Sequence, residues 1–481
     1  MSLKQILVKN KILKNFSVLT ASNAATQFLL IFTSIKIARS LDPVLFGTYN
    51  LLQLHVSIFV VIASFGVRNI LIRSIARNKD IIKKLFFFAL IIRAAGVLLA
   101  FILFGIYFML EKQYDNLLFY FVLQCILSSV LFDLFESVAF GLEKMEFSGI
   151  INLLSAFCWL LTILLIPKNQ LSLSLIFGLF VLFNTIKTLL YFFSIYKVEF
   201  IKNFKSEQFS KDRFIEFSKE CFPYYYLALF TLLSNQIPIL FLEYRSGVAQ
   251  IGYFNIASKI LMPINLVLTT ALAAIFPNLS RLFILNYPQF IKNVKIVFIL
   301  ITVFCIAGAF GVTLFRKEVI FLLYGLKYSS SGLVLGYQCW YIAIYSLVCL
   351  IGTILGAINR QKELSYLSIV STLIQVPILW YGSKYGAQYL SAAFLVATCI
   401  TLLLHIFMIN RYLKNELNVS FYLKILIPFI LFYCFSLFLP TTLSFVKKAG
   451  IFITISIVGV YFIFNKYKYN LKSLFAKREV Q

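Results

Sequence analysis

Arg93, Lys187 and Lys259 stand inside stretches that are otherwise apolar. Two carboxylates, Asp133 and Glu136, lie in a similar stretch, three residues apart and so on one face of a helix. A charge in low-dielectric surroundings is costly unless it pairs with another charge or meets a ligand. Cations at graded depths could pass a diphosphate along, and a shielded carboxylate could load and release H+ or Na+. The bland reading stands beside these. Arg93 and Lys187 share a depth with Asp133 and Glu136, so the four could simply neutralise one another. Lys259 could contact a cargo or snorkel toward headgroups.

Amides are the next candidates. Asn23 and Gln27 are spaced i,i+4, and Asn235 and Gln236 sit at the corresponding place later in the chain. They suit a glycan and suit interhelical hydrogen bonding equally. Asn255, with Asn50 as its counterpart, marks either a lining or a packing position. The eight cysteines form no CxxC, and neither His55 nor His405 has a cysteine nearby. They read as buried thiols; no metal or cofactor is expected.

These residues must be held by membrane helices. The 481 residues are 61% hydrophobic and 13% charged. Apolar stretches cover about 16–37, 44–67, 85–110, 117–140, 148–167, 172–196, 220–242, 252–277, 294–315, 332–357, 364–382, 387–410, 421–439 and 446–465. Each is near the length that spans a bilayer as a helix. Of 44 Lys and Arg, 30 fall in the N-terminus, the even gaps and the tail, 11 in the odd gaps, and three inside spans. That asymmetry places both termini in the cytoplasm, with an uncleaved first helix. The +26 charge sits in short gaps rather than in a basic domain, which excludes nucleic acid as a partner.

Two short motifs recur six spans apart. Phe46-Gly47-Thr48-Tyr49-Asn50 returns as Ile251-Gly252-Tyr253-Phe254-Asn255, and Gly141-Leu142-Glu143-Lys144 as Gly356-Ala357-Ile358-Asn359-Arg360. Six spans preserve orientation, so the expectation is an all-α membrane protein of two like-oriented six-helix lobes, with substrate between them. The divisions expected are 1–196, a cytoplasmic amphipathic linker at 197–219, 220–411, and two further helices with a basic tail over 412–481. Pro223, Pro238, Pro263, Pro277 and Pro377 are expected either to bend helices or, at span ends, to cap them.

Ala38-Arg39-Ser40-Leu41-Asp42-Pro43, Phe46-Gly47-Thr48-Tyr49 and Phe65-Gly66-Val67 resemble the Wzx-type polysaccharide flippases of the MATE-like superfamily. So do Gly252-Tyr253 with Ala257-Ser258-Lys259, Phe276 to Arg281, Leu323-Tyr324-Gly325 with Tyr328, and Gly356 to Lys362. The resemblance runs along essentially the whole chain. It implies a bacterial inner-membrane transporter that flips undecaprenyl-diphosphate-linked oligosaccharide to the outer leaflet by alternating access. O-antigen, lipopolysaccharide or capsule assembly would use it, with membrane lipids and a polysaccharide polymerase or export machinery as partners. The alternatives are a lipid II flippase and a MATE-type cation-coupled exporter of small amphiphiles. Drug exporters place ion-binding carboxylates in the first helices of a lobe, and the first span here has none. An integral glycan-pathway enzyme ranks behind, since the odd gaps are short and carry no phosphate-cradling glycine loop.

Overall fold

The computed structural model describes residues 3–78, 82–111, 116–196, 210–413, 416–438 and 444–454. The elements among them are helices. They are α1 (Leu3–Ser40), α2 (Pro43–Ser64), α3 (Val67–Arg77), α4 (Ile82–Glu111), α5 (Asn116–Gly141), α6 (Met145–Leu165), α7 (Leu173–Tyr196) and α8 (Lys211–Ser246). There follow α9 (Val248–Leu285), α10 (Tyr287–Leu314), α11 (Arg316–Tyr324), α12 (Ser331–Ala357), α13 (Gln361–Ser383), α14 (Ala387–Tyr412) and α15 (Val419–Phe438), then a helical stretch over 445–454. Ten are long and apolar enough to cross a membrane, and α8, bent by 42°, makes eleven. α1, α15 and the final stretch occupy the other three places expected of spans; beyond 454 the fourteenth lies outside the described residues.

Local chemistry explains the helix starts. Asp42 caps α2 by accepting from the Leu45 N–H at 2.8 Å, with Pro43 as the first helical residue. Asn286 caps α10 by accepting from the Gln289 N–H at 3.0 Å. All five prolines named above fall inside α8, α9 and α13, so none merely caps a span. The bend of α8 lies between Leu232 and Ser234, where Pro238 cannot donate to the carbonyl four residues back.

By its internal packing the chain divides into two units, Met1–Leu240 and Phe241–Gln481. In the first unit α5 is central, packing on α2, α3, α4, α6 and α7. In the second α12 is central, packing on α9, α10, α11, α13 and α14. The pairings α2–α4, α6–α7 and α2–α7 of the first unit return in the second as α9–α10, α13–α14 and α9–α14. The recurring motifs carry the same backbone devices. Asn50 and Asn255 each donate back one turn, to the Phe46 and Ile251 carbonyls at 2.6 and 3.0 Å. α5 and α12 each end on a left-handed residue, Glu143 (φ 60°) and Asn359 (φ 59°). The next N–H then closes on Ala139 at 2.9 Å and on Leu355 at 2.8 Å. The motif pairing is therefore one residue off that suggested by Gly141 and Gly356.

Two helices lie where sequence alone placed gaps. α3 follows a left-handed turn at Phe65 (φ 47°) and Gly66 (φ 68°). A Cβ on Gly66 would lie 2.5 Å from both the Cys221 carbonyl oxygen and the Tyr225 nitrogen of α8. Gly66→Ala is expected to lower stability by about 3 kcal/mol, from strain plus overlap, read as thermal unfolding in detergent. α11 holds Glu318, which accepts from the buried Lys448 ammonium at 2.5 Å. Burial pushes the Glu318 carboxyl up, but that hydrogen bond and the Lys448 and Lys317 charges hold it below the usual carboxylate range. Of the expected linker, 197–209 lies outside the described residues, and 211–219 forms the first turns of α8.

Candidate functional site

The first unit gathers four of the five charges singled out above. Asp133 and Glu136, one turn apart on α5, face α3, α4 and α6. Arg93 on α4 is 1% exposed; it donates to Asp133 Oδ2 at 2.5 Å and to the Val130 carbonyl at 2.6 Å. Arg68 on α3 bridges both carboxylates, reaching Asp133 Oδ1 and lying 2.8 Å from Glu136 Oε2. The other Glu136 oxygen accepts from Ser148 Oγ of α6 at 2.7 Å and from the Tyr191 hydroxyl of α7 at 3.4 Å. Lys187, one turn before Tyr191, sets its ammonium over the Phe132 ring, 3.9 Å from the centroid.

The surroundings make these contacts count. Val67, Ile70, Leu71, Phe86, Phe88, Leu134, Phe135 and Val138 form one buried apolar cluster around the charges. In such a setting an arginine is retained only when it is paired; Arg93 uses both Nη atoms, while its buried Nε has no hydrogen-bond partner among the described residues. Asp133 and Glu136 set two negative charges against Arg68, Arg93 and Lys187, leaving the group one positive charge in excess. Arg93 and Asp133 thus make the contacts that the ion-pair alternative requires. Lys187 has an aromatic face and the field of Glu136 instead.

Lys259 lies half-buried on α9 in the second unit. Its neighbour Ser258 donates to Gln338 Oε1 of α12 at 3.1 Å, and Gln338 donates to the Phe254 carbonyl at 3.3 Å. Asn255 and the exposed Asn235 spend their amides on carbonyls of their own helices. Gln236 is half-buried and Asn23 exposed. Gln27 is half-buried, and its Oε1 is enclosed with no hydrogen-bond partner among the described residues. A shallow depression of about 490 Å³ on α8 is lined by Asp212, Ile215, Glu216, Lys219 and Glu220. It is acidic where a diphosphate needs cations. Cys158 and Cys399 are exposed rather than buried, and no metal-binding group occurs among the described residues.

Sequence reasoning missed Arg68, Ser148, Tyr191 and Phe132. Arg68 had a signal: Val67, Ile70, Leu71 and Ile75 are spaced as one helical face, with Arg68, Arg73 and Arg77 among them.

The fold is shared with solved transporters. An inward-facing multidrug resistance MATE family transporter of the MOP superfamily aligns at TM-score 0.59 and 14% identity, over 82% of this chain and 96% of that one. A MOP superfamily transporter from Pyrococcus furiosus, whose description reports a binding pocket of reverse polarity, aligns at 0.55 and 11%, over 85% and 96%. A mutant form of the Vibrio cholerae MATE transporter VcmN aligns at 0.53 and 14%, over 86% and 98%. The fold is therefore a MATE-like bundle of membrane-length helices. Residues 12–283 match the family described as "Polysaccharide biosynthesis protein", and the chain belongs to that family. Among curated proteins none matches this sequence.

Proposed function

We propose that the protein flips a lipid-linked oligosaccharide, of the undecaprenyl-diphosphate kind, from the inner to the outer leaflet of the bacterial cytoplasmic membrane. Surface polysaccharide assembly consumes the product. Both termini lie in the cytoplasm, as the Lys and Arg distribution requires. The observation that carries the reading is the excess positive charge of the part-buried group in the first unit, Lys187 included. A diphosphate is the cargo group that such a charge favours, and membership of a polysaccharide biosynthesis family supplies the glycan. Lys187 and Lys259 are the cationic contacts, and Arg93 adds its charge from within the ion pair with Asp133; Asn23, Gln27, Asn235, Gln236 and Asn255 are the amide contacts. Coupling to H+ or Na+ falls on Glu136, which faces one arginine and two hydroxyls, rather than on Asp133, which two arginines clamp.

The same charge disfavours export of cationic amphiphiles, which an excess positive site repels. The Pyrococcus furiosus neighbour is described as having a binding pocket whose reverse polarity suggests a different function. Deleting the gene in its own cell separates the readings. The expected result is loss of one surface polysaccharide, with its lipid-linked precursor accumulating. An unchanged surface together with new sensitivity to cationic drugs contradicts the proposal.

A further inference from the structure

α13 and α14 form an antiparallel hairpin whose register is pinned at three levels. Near its turn, a Cβ on Gly382 would lie 2.6 Å from the Ala393 methyl. In the middle, Gln375 Nε2 donates to Thr401 Oγ1 at 3.1 Å, and at the far end the Tyr412 hydroxyl donates to Glu363 Oε1 at 3.2 Å. One turn from the Gln375–Thr401 bond, toward Glu363, this register brings Ser371 level with His405. Both are buried, at 5% and 3% exposure.

Their hydrogen bonding is incomplete in complementary ways. His405 Nδ1 lies 2.8 Å from the Thr401 carbonyl oxygen. A carbonyl only accepts, so Nδ1 carries the hydrogen and Nε2 keeps its lone pair. Ser371 Oγ has no partner among the described residues. Its neighbours on α13 behave differently: Ser365, Ser368 and Thr372 each donate to the carbonyl one turn back. A buried hydroxyl without that local bond carries an unmet desolvation cost, which a new donor would recover.

α12 and α9 pack against α14. Phe394 of α14 touches Tyr341 of α12, with ring centroids at 5.1 Å, and Phe254 of α9 at 6.0 Å. The titratable and charged groups on the helices packed there are Cys349 on α12, Lys259 on α9, and Cys399 and Arg411 on α14 itself. Tyr366 and the Glu363–Arg360–Tyr412 group lie toward the end of the hairpin. Gly352 follows Glu136 by the 216 residues that separate Glu143 from Asn359. Where the first unit has a carboxylate, the second has a glycine, whose open side faces Leu364 of α13.

We infer that His405 and Ser371 form a proton-binding site in the second unit. Nε2 takes a proton from water, and the new N–H donates to Ser371 Oγ while Nδ1–H keeps the Thr401 carbonyl. The site's part in a transport cycle rests on the function proposed above; its protonation does not.

The chain has two histidines, which makes the test direct. Full-length protein labelled with ring-15N histidine is placed in lipid nanodiscs and titrated from about pH 8 to pH 5 by NMR, the useful range for imidazole. The His405 signal is assigned by its loss in His405→Gln, and His55→Gln gives a one-site spectrum. At the alkaline end the expected spectrum is the Nδ1–H tautomer, passing to imidazolium within the range. Ser371→Ala should move that midpoint down by about one unit, since the charged form loses its acceptor. A ring that stays neutral to pH 5, or a midpoint that Ser371→Ala leaves in place, overturns the site. No cargo enters the measurement, so either result leaves the transporter reading untouched.

Discussion

Replacing Lys187 and Lys259 together by alanine is expected to abolish translocation of a polyprenyl-diphosphate glycan in proteoliposomes, while insertion into the membrane stays normal. A hydrogen bond to a charged group is worth about 1.5–3 kcal/mol, so losing two costs at least about a hundredfold in rate. Each lysine acts within its own unit on the passing diphosphate. Lys187 sits over the Phe132 ring, and Lys259 stands beside the Ser258–Gln338 bond, which its own removal leaves intact. A ring contact is worth about 0.5–2 kcal/mol, less than the buried pair that holds Arg93. Loss of both lysines should therefore spare folding. Circular dichroism and gel filtration check that; unchanged translocation with intact folding removes both residues from the cargo path.

Asp133→Leu should act through stability instead. It leaves Arg68, Arg93 and Lys187 around a single carboxylate, Glu136, inside the apolar cluster. Breaking a buried ion pair from one side costs about 3–5 kcal/mol, because the abandoned charge stays buried. Adding Arg93→Leu to the same chain removes that charge and should restore much of the loss, a non-additivity read in a double-mutant cycle. Unfolding by titrated denaturing detergent measures both. If Asp133→Leu is as stable as the parent but inactive in transport, the carboxylate belongs to ion coupling rather than to the scaffold.

Much of the frame could be read from the residues, because a bilayer forces long apolar runs to be helices. The runs placed the helices α1, α2, α4 to α10 and α12 to α15. The same reading failed for α3, whose three arginines look like loop charge when counted but belong to a helix, with Arg68 turned toward α5. Arg68 was lost with it, and so the bridge between Asp133 and Glu136. Shared depth was enough to bring Arg93, Lys187, Asp133 and Glu136 into one neighbourhood. Depth says nothing of azimuth, however, and only packing decides that Lys187 faces a phenyl ring while Arg93 faces a carboxylate. The repeat was legible at Asn50 and Asn255 because both amides cap the same local carbonyl. At Glu143 and Asn359 the shared feature is a backbone angle, which residue names do not spell out.

The most direct test is to reconstitute the purified chain with a fluorescent undecaprenyl-diphosphate oligosaccharide and follow its appearance in the opposite leaflet by quencher protection. The account predicts movement that needs this protein and no ATP, and that fails when the diphosphate is replaced by a neutral head. Equal movement of the neutral analogue, or none of the diphosphate lipid by a folded protein, contradicts it.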